Sequence, residues 1–197
     1  MVKEEAFNID PSFLKIWQEK GMEEKRYDYP LKPTDLILDI GAYQGSWSKI
    51  MHDLYGCKSI LFEPVRVPAL DSIRDNENFQ IIEAAAWIFN DRLKFGGNGY
   101  WTSHFIDGIQ EYPCVDINNY LNCEIAVCKI NIEGGEYDLI QHIINGDLQT
   151  HIRNFQIQFH NWNHECIFQR HKIQTQLAKT HRLTWGVSWC WENWGLL

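Results

Sequence analysis

Compact apolar runs alternate along this chain with stretches whose apolar residues recur at helical spacing. Leu36-Ile-Leu-Asp-Ile40 predicts a short buried strand, and the residues after it predict a helix over Ser46–Tyr55. A second apolar run, Ser59-Ile-Leu-Phe62, predicts a strand over 58–63, followed by a helix over 67–74 and a third strand over 79–85. Residues 92–95 read as a short edge strand, and 115–121 as a short helix opened by Asp116. An apolar run from Ile125 predicts a further strand, with a helix over 137–144 behind it. Phe155-Gln-Ile-Gln-Phe159 alternates as a strand, 165–180 is helical in composition, and 182–197 reads as a final strand or hairpin. Ahead of all these, residues 11–25 set Phe13, Leu14, Ile16 and Trp17 among charges, with Asp10 as cap and Pro11 in the first turn. This predicts an amphipathic helix packed on or beside the sheet, joined by a proline-marked linker over 27–33. Strands alternating with helices predict an α/β fold with a mostly parallel sheet. The expected organisation is a helix and linker over 1–34 and one domain over 35–197.

The chemistry concentrates where the first strand stops. Asp39-Ile-Gly-Ala-Tyr-Gln-Gly45 places a carboxylate, then two glycines, before a helix N-terminus, the arrangement that builds ligand pockets in parallel sheets. Gly41 and Gly45 let the backbone turn sharply and approach a ligand closely. The loop lacks the G-x-G-x-x-G of dinucleotide binders and the Gly-Lys-Ser/Thr of phosphate-cradling loops. A second acid, Glu63, closes the next strand ahead of Pro64, where it can accept from both ribose hydroxyls. Acid, glycines and acid suit S-adenosylmethionine (SAM), which carries an amino acid and a ribose but no phosphate. The expected cofactor contacts in this region are Asp39, Gly41, Ala42, Tyr43, Gln44, Gly45, Glu63 and Pro64.

Composition narrows the setting. The chain has 197 residues, 45% of them hydrophobic and 14% aromatic, enough for a core and unlike a disordered chain. A net charge of −8 leads to the expectation that nucleic acid is not a partner, since phosphate neutralisation needs a basic surface. The 6 cysteines form no C-x-x-C pair, so no zinc ribbon or redox motif is indicated, and they read as thiols in a reducing compartment. With no apolar leader and no run of membrane-spanning length, the expectation is a cytoplasmic protein without a membrane span.

Further candidates lie at other strand ends. Glu83-Ala-Ala-Ala-Trp87 offers small residues that leave room for a flat adenine at Ala85 and Ala86, with Trp87 as cover; core packing is the other reading of these alanines. A glycine-rich loop, residues 96–104, carries Trp101, Ser103 and His104; Ser103 is an expected cofactor contact and His104 a catalytic candidate. Lys129-Ile-Asn-Ile-Glu-Gly-Gly-Glu136 places Asn131, Glu133 and Glu136 around two glycines at a strand's C-terminal edge. The next strand ends on His160. Methyl transfer to a hydroxyl requires alignment and loss of a proton, so His160 is the preferred base, with Glu133 and Asn131 as further catalytic candidates. Glu133, Glu136 and His160 also have the chemistry of a divalent-cation site. Glu136 has a second reading as a cap of the helix behind it.

Taken together, Asp39-Ile-Gly-Ala-Tyr-Gln-Gly45, Phe62-Glu-Pro64, residues 116–121 and Lys129-Ile-Asn-Ile-Glu-Gly-Gly-Glu136 resemble the FkbM-type SAM-dependent methyltransferases over about residues 35–160. The resemblance implies the class I methyltransferase fold, a doubly wound, Rossmann-like, mostly parallel sheet of about seven strands. It also implies methylation of hydroxyl oxygens on a small-molecule or glycan acceptor, most often a sugar, with the chain free or a module of a larger glycan-modifying protein. Asn131 stands where that family usually has Asp, and an amide cannot accept a proton as a carboxylate does, so Asn131 is also expected as a cofactor contact that orients the methionine end of SAM or the acceptor. The alternative is a non-catalytic SAM-fold module that binds a glycan or a partner protein.

Overall fold

The computed structural model describes residues 11–96 and 110–197. Helix α1 (Pro11–Glu19) is followed by a 3-10 turn (Glu24–Arg26), so the helix expected over 11–25 stops early, with Gly21 at a φ of +59°. Next come β1 (Leu36–Ile40), α2 (Ser46–Tyr55), β2 (Lys58–Phe62), a 3-10 segment (Pro68–Ile73) where a helix was expected, and β3 (Phe79–Ile82). Strands β4 (Ala85–Trp87), β5 (Asp91–Phe95) and β6 (Gln110–Asp116) precede a second 3-10 segment (Ile117–Tyr120). The chain finishes with β7 (Val127–Ile130), α3 (Glu136–Asn145), β8 (Asn154–Ile157), α4 (His164–Leu177), β9 (His181–Val187) and β10 (Trp191–Leu196).

The main sheet is 7-stranded, in the order β3-β2-β1-β7-β8-β10-β9. β3, β2, β1, β7 and β8 run parallel, while β10 is antiparallel to both β8 and β9. Burial on both faces explains why the central strands read as nearly continuous apolar runs. Along β1 the period of two sends Ile37 to one face, with Trp47 and Met51 of α2. Leu38 and Ile40 go to the other face, with Ile140 and Ile143 of α3 and Ile173 of α4. This is the doubly wound, mostly parallel sheet of the class I methyltransferase fold.

One expected strand divides in two. The run 79–85 breaks at the exposed Glu83, which accepts from Arg74 at 2.5 Å, and the residues beyond it join a separate 3-stranded sheet, β4-β6-β5. That small sheet packs Ala85, Trp87, Phe95 and Cys114 together. Residues 11–34 are integrated with the main sheet. Trp17 packs with Val187, Cys190 and Trp191, and the Tyr29 hydroxyl lies 2.9 Å from Gln156 Oε1 and 3.0 Å from Asn193 Oδ1.

The topology places the site. From β1 the chain winds outward to β2 and β3, and it later returns to β7 and β8 on the other side of β1. The order therefore reverses between β1 and β7, and ligands of open α/β sheets bind in the crevice beyond the strand ends at such a point. Register sets which residues meet there. Ile40 is level with Phe62 on β2 and with Ile130 on β7, so Gly41, Glu63 and Asn131 leave the sheet side by side.

Candidate cofactor and methyl-transfer site

The loop after β1 is folded back by hydrogen bonds. Gly41 N and Ala42 N both donate to Phe62 O, at 3.0 and 3.1 Å, and Gly45 N donates to Ala42 O at 2.8 Å. Gly41 has a φ of +75°, and a Cβ there would stand 1.9 Å from Asn131 O. Tyr43 also takes a positive φ, +48°, and its N–H donates to Glu63 Oε2 at 2.8 Å. Val65 N donates to the other oxygen, Oε1, at 3.0 Å. Two backbone amides thus fix the carboxylate at the end of β2. Burial pushes the Glu63 carboxyl above its usual range, and the two backbone bonds pull against that shift.

Asp39 has a different role from the one expected. It is fully buried, with Lys129 Nζ donating to Oδ1 at 2.8 Å and Ser48 Oγ donating to Oδ2 at 2.8 Å. The same ammonium donates to Gly41 O at 2.7 Å. Asp39 therefore supports the loop from beneath, and the expectation that it grips the ligand is corrected. A lysine on the neighbouring strand satisfies it because an unpaired buried charge is too costly to keep.

Beyond β7 the backbone is unusual. Asn131 borders the cavity, and its buried Oδ1 has no hydrogen-bond partner among the described residues. Glu133 has a φ of +52° and Gly134 a φ of +107°. Glu136, fully buried as the first residue of α3, ties down the turn ahead of the helix by accepting from Gly134 N at 2.8 Å through Oε2. Its Oε1 accepts from His160 N at 2.7 Å and contacts His160 Nδ1 at 3.1 Å. The other ring nitrogen, Nε2, lies 3.3 Å from Glu133 Oε2.

His160 is therefore held between two carboxylates. Burial alone would lower its pKa, but the charge of Glu136 and the hydrogen bonds to Glu133 and Glu136 outweigh burial and push it up to about 10. This raised pKa favours the charged ring near neutral pH, and both ring nitrogens are already engaged by carboxylates. Its assignment as general base is corrected, and it does not border the cavity. The expected divalent-cation site at Glu133, Glu136 and His160 is corrected on geometry: the two carboxylates bracket the ring as ion-pair partners and do not converge on a common point. Among the described residues no group of three His, Cys, Asp or Glu is arranged to hold a metal.

This clamp makes stability depend on pH. With the folded pKa above the unfolded value of about 6.5, its contribution is fully present below the unfolded pKa and is lost as pH rises through about 10. Urea unfolding between pH 6 and 10 is expected to give wild type an extra loss approaching about 1.4 kcal/mol per pH unit relative to His160→Gln. Parallel curves for the two proteins would contradict the charged state.

The cavity at these strand ends has a volume of about 380 Å³, within the usual range for small-molecule sites. Gly41, Tyr43, Glu63 and Pro64 form one side, Asn131 and Glu133 the floor, and Ala85, Ala86 and Trp87 a further wall. Ala42 and Gly45 instead face the core, Ala42 among Leu61, Leu70 and Phe79, and Gly45 against Leu70 and Ile73. Gln44 is exposed. None of these three lines the cavity, and they are corrected as cofactor contacts. Ser103 and His104, like Trp101, lie outside the described residues. Sequence reasoning missed Val65 to Pro68, whose signal was a proline-bracketed loop directly after Glu63. It also missed Leu93 and Phe95, which border the cavity only because β5 joins the small sheet.

No family model and no curated protein matches the chain. Solved structures match it by fold. The crystal structure of methyltransferase FkbM from Methylobacillus flagellatus KT matches with a TM-score of 0.58 and 13% identity, over 83% of this chain and 44% of that one. This chain thus spans less than half the length of that relative. A putative rRNA-methylase from Clostridium thermocellum matches with a TM-score of 0.53 and 8% identity, over 91% of this chain and 97% of that one. The N-terminal domain of human METTL16 in complex with SAH has a TM-score of 0.43 and 12% identity, over 96% and 72%. The shared fold is that of methyltransferases. The second of these matches overturns the exclusion of nucleic acid as a partner. Net charge is a sum over the whole surface, and the same fold, at nearly the same length, occurs in a protein described as an rRNA-methylase. No helix among the described residues is long and apolar enough to cross a membrane.

Proposed function

We propose that the cavity binds SAM and that the chain is a SAM-dependent O-methyltransferase acting on a sugar hydroxyl. The observation that carries the cofactor reading is Glu63, a carboxylate fixed by two backbone amides on the wall of a cavity at the reversal point of the sheet. Its lone pairs beyond those two bonds suit the paired hydroxyls of a ribose. The residues fit the remainder of the molecule as well. The buried Asn131 Oδ1 needs a donor, which an amino-acid ammonium supplies. Ala85, Ala86 and Val65 give a flat apolar slot for a purine. Glu63 and Glu133 make the interior acidic, with Arg66 exposed at the rim, which favours a sulfonium cation.

When bound, the cofactor supplies an electrophilic methyl group on a good leaving group. The protein's part is then to align donor and acceptor and to receive a proton. The finer assignment to a sugar hydroxyl rests on the resemblance in the strand-end motifs.

Calorimetric titration tests the cofactor. Wild type is expected to bind both SAM and SAH, and Glu63→Gln to weaken both alike by about 10- to 100-fold, the size of charge-assisted bonds lost in a buried site. Absence of binding to wild type removes the proposal. Incubation with methyl-labelled SAM and a panel of deoxysugar glycosides, short RNA oligonucleotides and unmodified protein then tests the acceptor. Label on glycosides supports the reading, and label on RNA alone replaces it. Tight binding with no label on any acceptor favours a non-catalytic module.

A further inference from the structure

His160 is engaged by two carboxylates and does not border the cavity, so the proton acceptor for a hydroxyl substrate must be sought among the groups that do. Among the described residues that border it, two carboxylates can take a proton, Glu63 and Glu133. Glu63 has an N–H on each oxygen and stands at the end of β2, on the ribose side. Glu133 stands beyond β7, two residues past Asn131, which leaves the sheet level with Gly41, and it borders the same cavity at the end assigned to the amino-acid portion and its methyl. Its backbone is left-handed, a conformation unfavourable for any residue with a Cβ. Such conformations persist where the surroundings enforce them and cluster at active sites. Here the enforcement is visible: Glu136 binds Gly134 N behind Glu133, and His160, itself held by Glu136 through both N and Nδ1, reaches Glu133 Oε2 with Nε2. The Tyr137 hydroxyl donates to His160 O at 2.6 Å and locks the same turn.

We infer that Glu133 is the catalytic base and the counter-charge of the reacting methyl, with His160 and Glu136 as its positioning residues. The inference rests on the reading of the cavity as a SAM site with a hydroxyl acceptor. The acceptor oxygen forms its bond to the methyl carbon as the carbon–sulfur bond breaks, and that electron pair stays on sulfur. The acceptor's O–H bond breaks, and its proton passes to the Glu133 carboxylate. A sulfonium and a carboxylate become a thioether and a carboxylic acid, so the two opposite charges cancel inside the cavity, while His160 stays paired with Glu136 behind it. The imidazolium keeps the carboxylate aimed and does not itself move a proton.

The test needs no acceptor. SAM and sinefungin carry a positive charge at the reacting position, SAH carries none, and all three share the ribose and the amino acid. Glu133→Gln is expected to weaken SAM and sinefungin about tenfold relative to SAH, as loss of one partly screened charge contact requires. Glu63→Gln is expected to weaken all three alike. Glu133→Asp, which keeps the charge but withdraws it by one methylene, should give an intermediate ratio and serves if the glutamine variant does not fold. An unchanged ratio in the folded variants overturns the role of Glu133 while leaving the cofactor reading intact. A wild-type protein that binds none of the three overturns both.

Discussion

Gly41→Ala is expected to abolish measurable SAM binding and to destabilise the protein by about 3 kcal/mol. Two costs add. A left-handed φ is unfavourable for alanine by roughly 1–2 kcal/mol, and overpacking a filled site adds roughly 1–3 kcal/mol. The new Cβ would stand 1.9 Å from Asn131 O and 2.9 Å from its carbonyl carbon. These are backbone atoms at the end of β7, held because Asn131 N donates to Ile40 O at 3.0 Å, so no side-chain rotation relieves the clash. Either the loop lifts, breaking the Gly41 and Ala42 bonds to Phe62 O, or β1 and β7 part. Both movements deform the wall between Glu63 and Asn131. Urea unfolding and calorimetric titration of the variant measure the two effects, and SAM affinity within threefold of wild type would contradict the role given to this glycine.

Lys129→Met is expected to be as damaging, by a different mechanism. The ammonium is the buried cation that balances Asp39, and it also holds Gly41 O. Removing one member of a buried pair strands the other and costs roughly 3–5 kcal/mol, whereas replacing both is often close to neutral. Asp39→Asn combined with Lys129→Met should therefore recover most of the stability. An asparagine oxygen can still accept from Ser48 Oγ, and no charge is left uncompensated. The four proteins of this cycle, unfolded in urea, should give a coupling above about 2 kcal/mol. If the single substitution costs less than about 1 kcal/mol, Asp39 is screened by something other than Lys129.

Much of this arrangement was legible in the sequence because it is local. The strand–loop–helix around Asp39 and Gly45, the acid after β2, and the order of the later strands all follow from apolar periodicity and glycine placement within short windows. What was not legible depends on neighbours distant in sequence. Asp39 and Glu63 look equivalent as strand-end acids. They separate only when β7 brings Lys129, 90 residues away, onto the first. A signal was present there, since a lysine in the middle of an apolar strand demands a partner. His160 looked like a base because a lone imidazole titrates near neutrality. The two carboxylates that hold it charged lie 24 and 27 positions earlier, across a helix, and no spacing rule joins them. The small sheet was hidden for another reason. Ala85 to Trp87 continues an apolar run, and a single exposed glutamate decides that the chain leaves one sheet for another.

Strand β10 lies between β8 and β9, so within the described part of the main sheet β9 bonds only to β10. A nascent chain leaving the ribosome thus presents residues 181–187 before any strand exists to receive them, and β8 stays an open edge until residues 191–196 emerge. Trp17, translated early, must wait for Val187 and Trp191, and the Tyr29 hydroxyl gains its contact with Asn193 last. The sheet half nearest Gly41 and the linker residues Tyr27 and Tyr29, which rest on α2, can assemble during synthesis, but helix α1 docks through Trp17 only once Val187 and Trp191 are made.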